Sequence, residues 1–147
     1  YGWVDIGSSF LTSELTAAFL WAQLENFEAI QKRRLEIWEF YNQTITCSEL
    51  RLPIIPDYAT NNAHMFYMIA SSYDYRSQLI DEAKKINIFP VFHYLSLHKS
   101  EFFIEKHDGR SLKNCDNYSN QLIRLPFFFE LTNNQQQRIT ELINRDY

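Results

Sequence analysis

The chain has 147 residues, enough for one domain with a hydrophobic core, and it carries a formal net charge of −4. Its basic residues are dispersed and no apolar run reaches the length of a membrane span, so the sequence favours neither a nucleic-acid partner nor a membrane partner. Aromatic residues make up 16%, which fits either an aromatic-rich core or a surface that meets another protein.

The first predicted helix follows residues 1–11, which we interpret as an extended or loop segment with a turn at Gly7-Ser8-Ser9. Thr12 or Ser13 can cap this helix, and Glu14 suits its first turn. Apolar side chains then occupy nearly every side of the helix as far as Leu24. A helix that is apolar all round must be buried all round. We therefore expect it to pack against protein that this chain does not contain.

A second, amphipathic helix is predicted to begin at Phe27. Its apolar residues recur at helical spacing and comprise Phe27, Ile30, Ile37, Trp38, Tyr41 and Ile45. The basic run at residues 32–34 could be a phosphate-binding patch. Glu28 lies four residues before Lys32, and two further glutamates follow, so we interpret the run as the solvated face of the helix.

The middle of the chain predicts two strands, a helix and a third strand. Leu50 to Leu52 form a short strand, and residues 63–70 form a strand with both faces largely covered. Asp74 is expected to cap a helix that runs to about Ile86. The apolar run at residues 88–92 then predicts a buried strand.

The last third of the chain begins with a predicted loop at residues 99–113. A short helix from Asp116 and an extended piece at 122–126 follow. Thr132 and Gln135 match a capping box, which predicts the start of the final helix. The whole pattern indicates an α+β fold, with one small sheet, flanking helices and a long linking helix.

Few residue patterns point to chemistry. Only three glycines occur, so no glycine-rich phosphate loop is present. His64 and His107 are expected to be structural or solvated, and the five-residue spacing of His93 and His98 is too loose to indicate a metal site. The residues just past a strand often present functional groups, and here they are His93 and Tyr94.

The two cysteines, Cys47 and Cys115, show neither metal-site spacing nor a CxxC motif. Unpaired cysteines are typical of a reducing compartment. The residues before the first predicted helix do not show the pattern of a secretory signal peptide either. We therefore expect a cytoplasmic protein.

Six segments of the chain together carry a resemblance to known sequences. They are Asp5–Leu11, Leu15–Ala18, Ala22–Glu25, Asn62–Tyr67, Val91–His98 and Leu125–Phe128. In this order and spacing, which extend over essentially the whole chain, they resemble the DegT/StrS sugar aminotransferases.

This resemblance implies the small C-terminal domain of a pyridoxal-phosphate (PLP) enzyme with the aspartate aminotransferase fold (fold type I). Residues 1–26 would end the large PLP-binding domain, and residues 27–147 would form the small domain. The resemblance also implies glutamate as the amino donor, a nucleotide-linked 4-keto-6-deoxy sugar as the acceptor, and a homodimer.

In the family a lysine holds the cofactor as a Schiff base and lies upstream of the segment matched by Gly7-Ser8-Ser9. None of the six lysines of this chain falls at that position. The resemblance therefore implies that PLP is bound mainly by an N-terminal part that is missing here. It also implies that no catalytic residue lies in this chain, which alone would be inactive.

The resemblance assigns further site residues. Ser9 stands where many relatives have an asparagine that reaches the cofactor phosphate of the neighbouring subunit, and Leu11 stands where they have an arginine. His93 and Tyr94 match the segment that lines the sugar-nucleotide side of the pocket, and His98 is a further substrate-binding candidate. For each pocket residue the alternative is support of the loop.

Two other functions remain open at this level. The first is a PLP-dependent sugar dehydratase of the same family, in which a histidine replaces the Schiff-base lysine. The second is a non-catalytic module that binds sugar nucleotides, left by truncation of a gene. The residues of this chain do not separate these from the aminotransferase.

Overall fold

A computed structural model describes residues 11–145, so the predicted turn at residues 7–9 lies outside the described part. Within this range the chain forms five α-helices and four strands. The helices are α1 (Glu14–Leu24), α2 (Phe27–Thr44), α3 (Tyr73–Lys85), α4 (Lys113–Gln121) and α5 (Asn133–Ile143). The strands are β1 (Leu50–Arg51), β2 (Tyr67–Ala70), β3 (Val91–Phe92) and β4 (Leu122–Arg124). These elements follow in the order α1-α2-β1-β2-α3-β3-α4-β4-α5.

The four strands form one antiparallel sheet in the order β1-β2-β4-β3. Met68 of β2, Ile123 of β4 and Phe92 of β3 stand in one row across the sheet. Because directly opposite residues share a face, these side chains point to the same side. Met68 and Ile123 are fully buried there, against side chains of α2, α3 and α5. The helices therefore cover one face of the sheet and complete the core.

Aromatic rings make up the centre of this core. Phe66, just before β2, places its ring centroid 5.5 Å from that of Trp38 and 5.3 Å from that of Tyr41, both on α2. The Tyr41 hydroxyl donates to the Pro126 carbonyl at 3.0 Å, and burial raises the pKa of this phenol. Ile37, Trp38, Tyr41 and Ile45 are all buried, so the inner part of the predicted face of α2 is confirmed.

The polar side of α2 also holds two loops. Arg34 donates through Nε to the Ala63 carbonyl at 3.0 Å and through Nη2 to the His64 carbonyl. Arg33 donates through Nη2 to the Leu131 carbonyl. The expectation of a solvated basic face is thus wrong for both arginines, and only Lys32 of the run is exposed. Sequence spacing did not show these contacts because their partners lie about 30 and 100 residues away.

The first helix has no buried residue. Ser13 begins it as predicted, since its Oγ accepts from the Thr16 amide at 3.3 Å. Leu15 is 82% exposed and Trp21 is 68% exposed. The described residues thus leave the apolar surface of α1 open, as expected for a helix whose packing partner is not part of this chain.

Two predicted strands are shorter than expected. Residues 63–66 are not in the ladder, and Ala63 adopts φ +47°, a left-handed conformation that interrupts an extended strand. Residues 88–92 are not a buried strand, because only β3 pairs and both Val91 and Phe92 are 46% exposed. β3 lies at the edge of the sheet, where one of its sides has no neighbouring strand.

Two helix starts also differ from the predictions. Ser72, not Asp74, caps α3, since its Oγ accepts from the Tyr75 amide at 3.0 Å. α4 begins at Lys113 rather than at Asp116. The predicted loop before it contains the short 3-10 helix Ile104–Lys106, and a second one, Leu97–Lys99, ends at the first residue of that loop. The capping box that begins α5 at Thr132 is confirmed.

Two further findings concern the described part of the chain as a whole. Across residues 11–145, no helix combines the length and the apolar character that a membrane span requires. Within the same range, no group of three or more histidine, cysteine, aspartate or glutamate residues is arranged to hold a metal ion.

Candidate functional site

The centre of the candidate site is the pair His93–Tyr94, which directly follows β3. Their ring centroids lie 4.6 Å apart with the planes at 64°, an edge-to-face contact. Tyr94 is 79% exposed, so its ring and hydroxyl face solvent. His93 is partly buried, and its Nδ1 has no hydrogen-bond partner among the described residues. The pair therefore combines an accessible aromatic ring with a buried imidazole nitrogen that makes no hydrogen bond within the described residues.

A cleft of about 220 Å³ lies beside this pair and is bordered by α4. Its lining comes from the segment after β3, from one side of α4 and from the first residue of β4, namely His93, Tyr94, Leu95, Ser96, Leu97, Cys115, Tyr118, Ser119 and Leu122. Pockets for small ligands usually enclose about 300–1,000 Å³. The cleft is smaller than that, so by itself it does not enclose a ligand of this size.

The structure separates His98 from that cleft, because His98 is not among its lining residues. Its Nε2 lies 3.1 Å from Asp116 Oδ1, its side chain is 10% exposed, and its ring centroid is 5.1 Å from that of His107. His98 is thus held against α4 through its contact with Asp116. His107, expected to be solvated, is also mostly enclosed there.

Asp116 makes several polar contacts with the segment that follows Tyr94. Lys99 Nζ lies 2.8 Å from its Oδ1, and Ser96 Oγ donates to the same oxygen at 3.2 Å. The hydrogen bond from Lys99 is the largest reason that the pKa of the Asp116 carboxyl lies below its ordinary value, and the bond from Ser96 acts in the same direction. Charged contacts at the first turn of α4 therefore fix the chain that follows Tyr94.

The remaining predicted site residue, Ser9, lies outside the described residues. Leu11, for which the resemblance implies an arginine position, is exposed at the start of the described part.

Covalent attachment of PLP requires a lysine, and this chain has six. The residues concerned are Lys32, Lys84, Lys85, Lys99, Lys106 and Lys113, and all six side chains belong to exposed residues. Lys84 and Lys85 pair with acidic neighbours on α3, and Lys106 lies over the Phe102 ring at 3.5 Å. A Schiff-base lysine must face an enclosed cofactor site, and none of these does. The described residues therefore do not fit covalent attachment of PLP.

Two residues near the site were missed at the sequence level. Ser119 of α4 donates through Oγ to the Tyr94 carbonyl at 3.0 Å. Arg76 of α3 is only 7% exposed and donates through Nη1 to the Ser119 carbonyl at 2.9 Å. Arg76 lies three residues before Leu79 and seven before Ala83, on the buried stripe of the helix, so helical spacing could have identified it.

Comparisons of the sequence and of the structure with known proteins agree on one protein family. The sequence model of the DegT/DnrJ/EryC1/StrS aminotransferase family matches residues 2–144. The structure is similar to that of PseC from Helicobacter pylori, an aminotransferase involved in the biosynthesis of pseudoaminic acid, with a TM-score of 0.83 and 17% identity. That match covers 95% of this chain and 38% of PseC.

Two other solved structures show the same fold. DesV from S. venezuelae matches with a TM-score of 0.78 and 20% identity, over 87% of this chain and 34% of DesV. The aminotransferase TlmJ from Streptoalloteichus hindustanus matches with a TM-score of 0.75 and 20% identity, over 84% of this chain and 33% of TlmJ. The chain thus spans about a third of the length of these proteins. These matches confirm the predicted α+β fold of an aminotransferase part, and the chain belongs to the DegT/DnrJ/EryC1/StrS aminotransferase family.

Proposed function

We propose that this chain is the C-terminal part of a PLP-dependent aminotransferase that transfers an amino group from glutamate to a nucleotide-linked keto sugar. The family match over residues 2–144 is the observation that carries the proposal. Residues 1–26 would end the large domain and residues 27–147 would form the small domain. The helix break between α1 and α2, at Glu25 and Asn26, supports this division because only α2 packs into the core.

The acceptor in this proposal is a dTDP-4-keto-6-deoxy sugar, and the product is dTDP-4-amino-4,6-dideoxygalactose. Such a product would serve the synthesis of a cell-surface polysaccharide, such as O-antigen or a common antigen, in the cytoplasm. Support comes from the resemblance at Asn62–Tyr67, Val91–His98 and Leu125–Phe128.

In this proposal His93 and Tyr94 bind the sugar nucleotide. The buried and unpaired Nδ1 of His93 fits a hydrogen bond to a sugar or phosphate oxygen once the ring turns toward the cleft. The exposed ring of Tyr94 can stack on a base or donate its hydroxyl. His98 contributes to the substrate side by holding the segment against Asp116. Ser9 would reach the cofactor phosphate of the neighbouring subunit in a homodimer.

The proposed cofactor is PLP, which when bound supplies the electron sink that amino transfer requires. A related structure, of a proposed sugar aminotransferase from Streptococcus pneumoniae, was determined in a PLP form and a PMP form. Because all six lysines here are exposed, the proposal assigns cofactor attachment to an N-terminal part. The 147-residue chain alone is then inactive.

The test begins with the gene. The coding sequence upstream of Tyr1 is read first, and the complete gene product is incubated with glutamate and dTDP-4-keto-6-deoxyglucose. We expect an upstream lysine, an amine product by mass spectrometry with its nitrogen at C4 by NMR, and no product from the 147-residue chain alone. An upstream histidine with a dehydrated product would indicate the dehydratase. A start codon near Tyr1 would indicate the non-catalytic module.

A further inference from the structure

We propose that Arg76 and Ser119 are positioning residues for the pair His93–Tyr94, and that they act by tying the end of β3 to α3 and α4. This inference rests on the proposed function, because it assumes that the pair binds the sugar nucleotide. Neither residue lies within a sequence segment that carries the family resemblance.

The sheet alone does not fix the position of the pair. β3 has two residues, and its pairing with β4 ends at Phe92, which stands opposite Ile123. His93 and Tyr94 come after the last paired residue, at an exposed edge of the sheet. Chain beyond the end of a ladder is mobile unless other contacts hold it. The place of the two side chains must therefore be set by the elements beside them.

Ser119 supplies the first of these contacts. It lies near the end of α4 and is partly buried, and its hydroxyl donates to the Tyr94 carbonyl at 3.0 Å. The same residue also lines the cleft next to the pair. A backbone hydrogen bond at Tyr94 fixes the direction of the chain there, and so the directions of both adjacent side chains. The bond is made without using the Tyr94 hydroxyl, which stays available to a ligand.

Arg76 holds Ser119 in place from the other side. Its Nη1 donates to the Ser119 carbonyl at 2.9 Å, so one residue of α4 receives a bond from α3 and gives one to Tyr94. Its guanidinium carbon also lies 5.8 Å from the centroid of the Phe92 ring, immediately before His93. Arg76 thus contacts both supports of the pair, the helix that holds Tyr94 and the strand that precedes His93.

Burial of the Arg76 guanidinium costs stability. A contribution to stability therefore does not explain this residue, whereas a positioning role does. The residue is 7% exposed, its Nε has no hydrogen-bond partner, and no carboxylate within the described range pairs with it. A buried charge without a counter-ion usually destabilises a fold, whereas an apolar residue at the same place would not. What the guanidinium provides is a directed bond to α4, together with its contacts to the rings of Phe92 and Tyr73.

A positioning role for Arg76 and Ser119 predicts an effect on only one of the two half-reactions of amino transfer. Amino transfer proceeds in two halves, one with glutamate and one with the keto sugar. If Arg76 and Ser119 position the pair, their loss weakens capture of the sugar nucleotide and leaves the glutamate half unchanged. A general loss of stability would reduce both halves together.

The experiment uses the complete gene product with dTDP-4-keto-6-deoxyglucose as the varied substrate. The variants are S119A and R76M, with S119T and R76K as conservative versions that keep a donor. S77A is the matched serine control, because Ser77 donates to a carbonyl of its own helix, and R138M is the matched arginine control, because Arg138 donates to the Ile86 carbonyl. Each protein is also tested with glutamate alone, and its thermal unfolding is measured.

We expect S119A and R76M to raise the KM for the nucleotide sugar by about three- to ten-fold, the size of one net hydrogen bond, with little change in the glutamate half-reaction. S119T should recover most of the loss and R76K part of it, and both controls should match the wild type. An S119A KM equal to that of S77A overturns the inference while the proposed function stands. An equal loss in both half-reactions overturns it as well.

Two further outcomes are also decisive. If the wild type forms no amine from the nucleotide sugar, the proposed function fails and the inference fails with it. If R76M does not fold, the comparison of S119A with S119T decides, because S119A removes only the hydroxyl, S119T keeps it and adds one methyl group, and Ser119 is not a core residue. Equal KM values for S119A and S119T would then overturn the positioning role.

Discussion

The helices α1 and α2 follow each other with only Glu25 and Asn26 between them, yet they relate to the fold in opposite ways. α1 is the more apolar of the two and buries none of its residues, whereas α2 carries many charges and places Ile37, Trp38 and Tyr41 in the core. The difference teaches that the arrangement of apolar residues, rather than their number, decides whether a helix stabilises its own domain.

The largest expected effect is the loss of stability when an aromatic ring is removed from the core, compared with removal of a ring from the surface of α1. Phe66 is fully buried between the rings of Trp38 and Tyr41, so F66A should lower the free energy of unfolding by about 3–5 kcal/mol. F19A removes the same ring from the exposed surface of α1 and should change it by less than about 0.5 kcal/mol. Urea denaturation of this chain measures both. Equal losses would mean that α1 packs on the domain after all.

A smaller effect is expected on the polar side of α2. R34M removes the donors to the Ala63 and His64 carbonyls and the contact with the Phe127 ring, and should cost about 1–3 kcal/mol. K32M replaces an exposed neighbour on the same helix and should be close to neutral. If the two variants unfold at the same urea concentration, the arginine contacts do not contribute to stability.

A matched pair of helix caps sharpens the comparison further. Thr132 Oγ accepts from the Gln135 amide at 3.3 Å and Ser13 Oγ accepts from the Thr16 amide at the same distance. T132A should cost about 1 kcal/mol, because α5 is part of the core. S13A should leave global unfolding unchanged and reduce only the helical signal in circular dichroism. A global loss in S13A as large as that in T132A would contradict the contrast between the two helices.

The smallest effect concerns a segment that is held by charges rather than by apolar contacts. The folded-state pKa of Asp116 lies below its ordinary value of 3.8, so its carboxylate stabilises the fold above that pH, and the contribution is lost as the pH falls through the folded-state pKa. K99M removes the main cause and should move the pKa of Asp116 upward in an NMR titration. K113M, also on α4, should not move it. An unchanged pKa in K99M would assign the shift to another group.

Local patterns predicted the parts of the fold that depend on local contacts. The capping box at Thr132 and the inner face of α2 are examples, because spacing along one helix determines both. The clamps made by Arg33 and Arg34 were not predicted, since their partners come from distant loops. The exposure of β3 was missed for a related reason, because an apolar run does not show which strand will lie at the edge of a sheet.

The same distinction between local and long-range contacts applies to the candidate site. The contact between His93 and Tyr94 follows from their adjacency, and the sequence placed both at the end of a strand. The bond from Ser119 to Tyr94 spans 25 residues, and that from Arg76 to Ser119 spans 43. His98 lies close to His93 in sequence, but it contacts Asp116 and is not among the residues that line the cleft. Only the tertiary structure shows which of these residues share the cleft.

The two edges of the sheet have a consequence for aggregation. Both edge strands, β1 and β3, have only two residues, and a proline lies beside each, Pro53 shortly after β1 and Pro90 immediately before β3. A proline offers no amide hydrogen to an incoming strand, and a two-residue edge offers a very short template. The sheet can therefore expose Phe89, Val91 and Phe92 for contacts through their side chains while it resists extension by strands of other molecules.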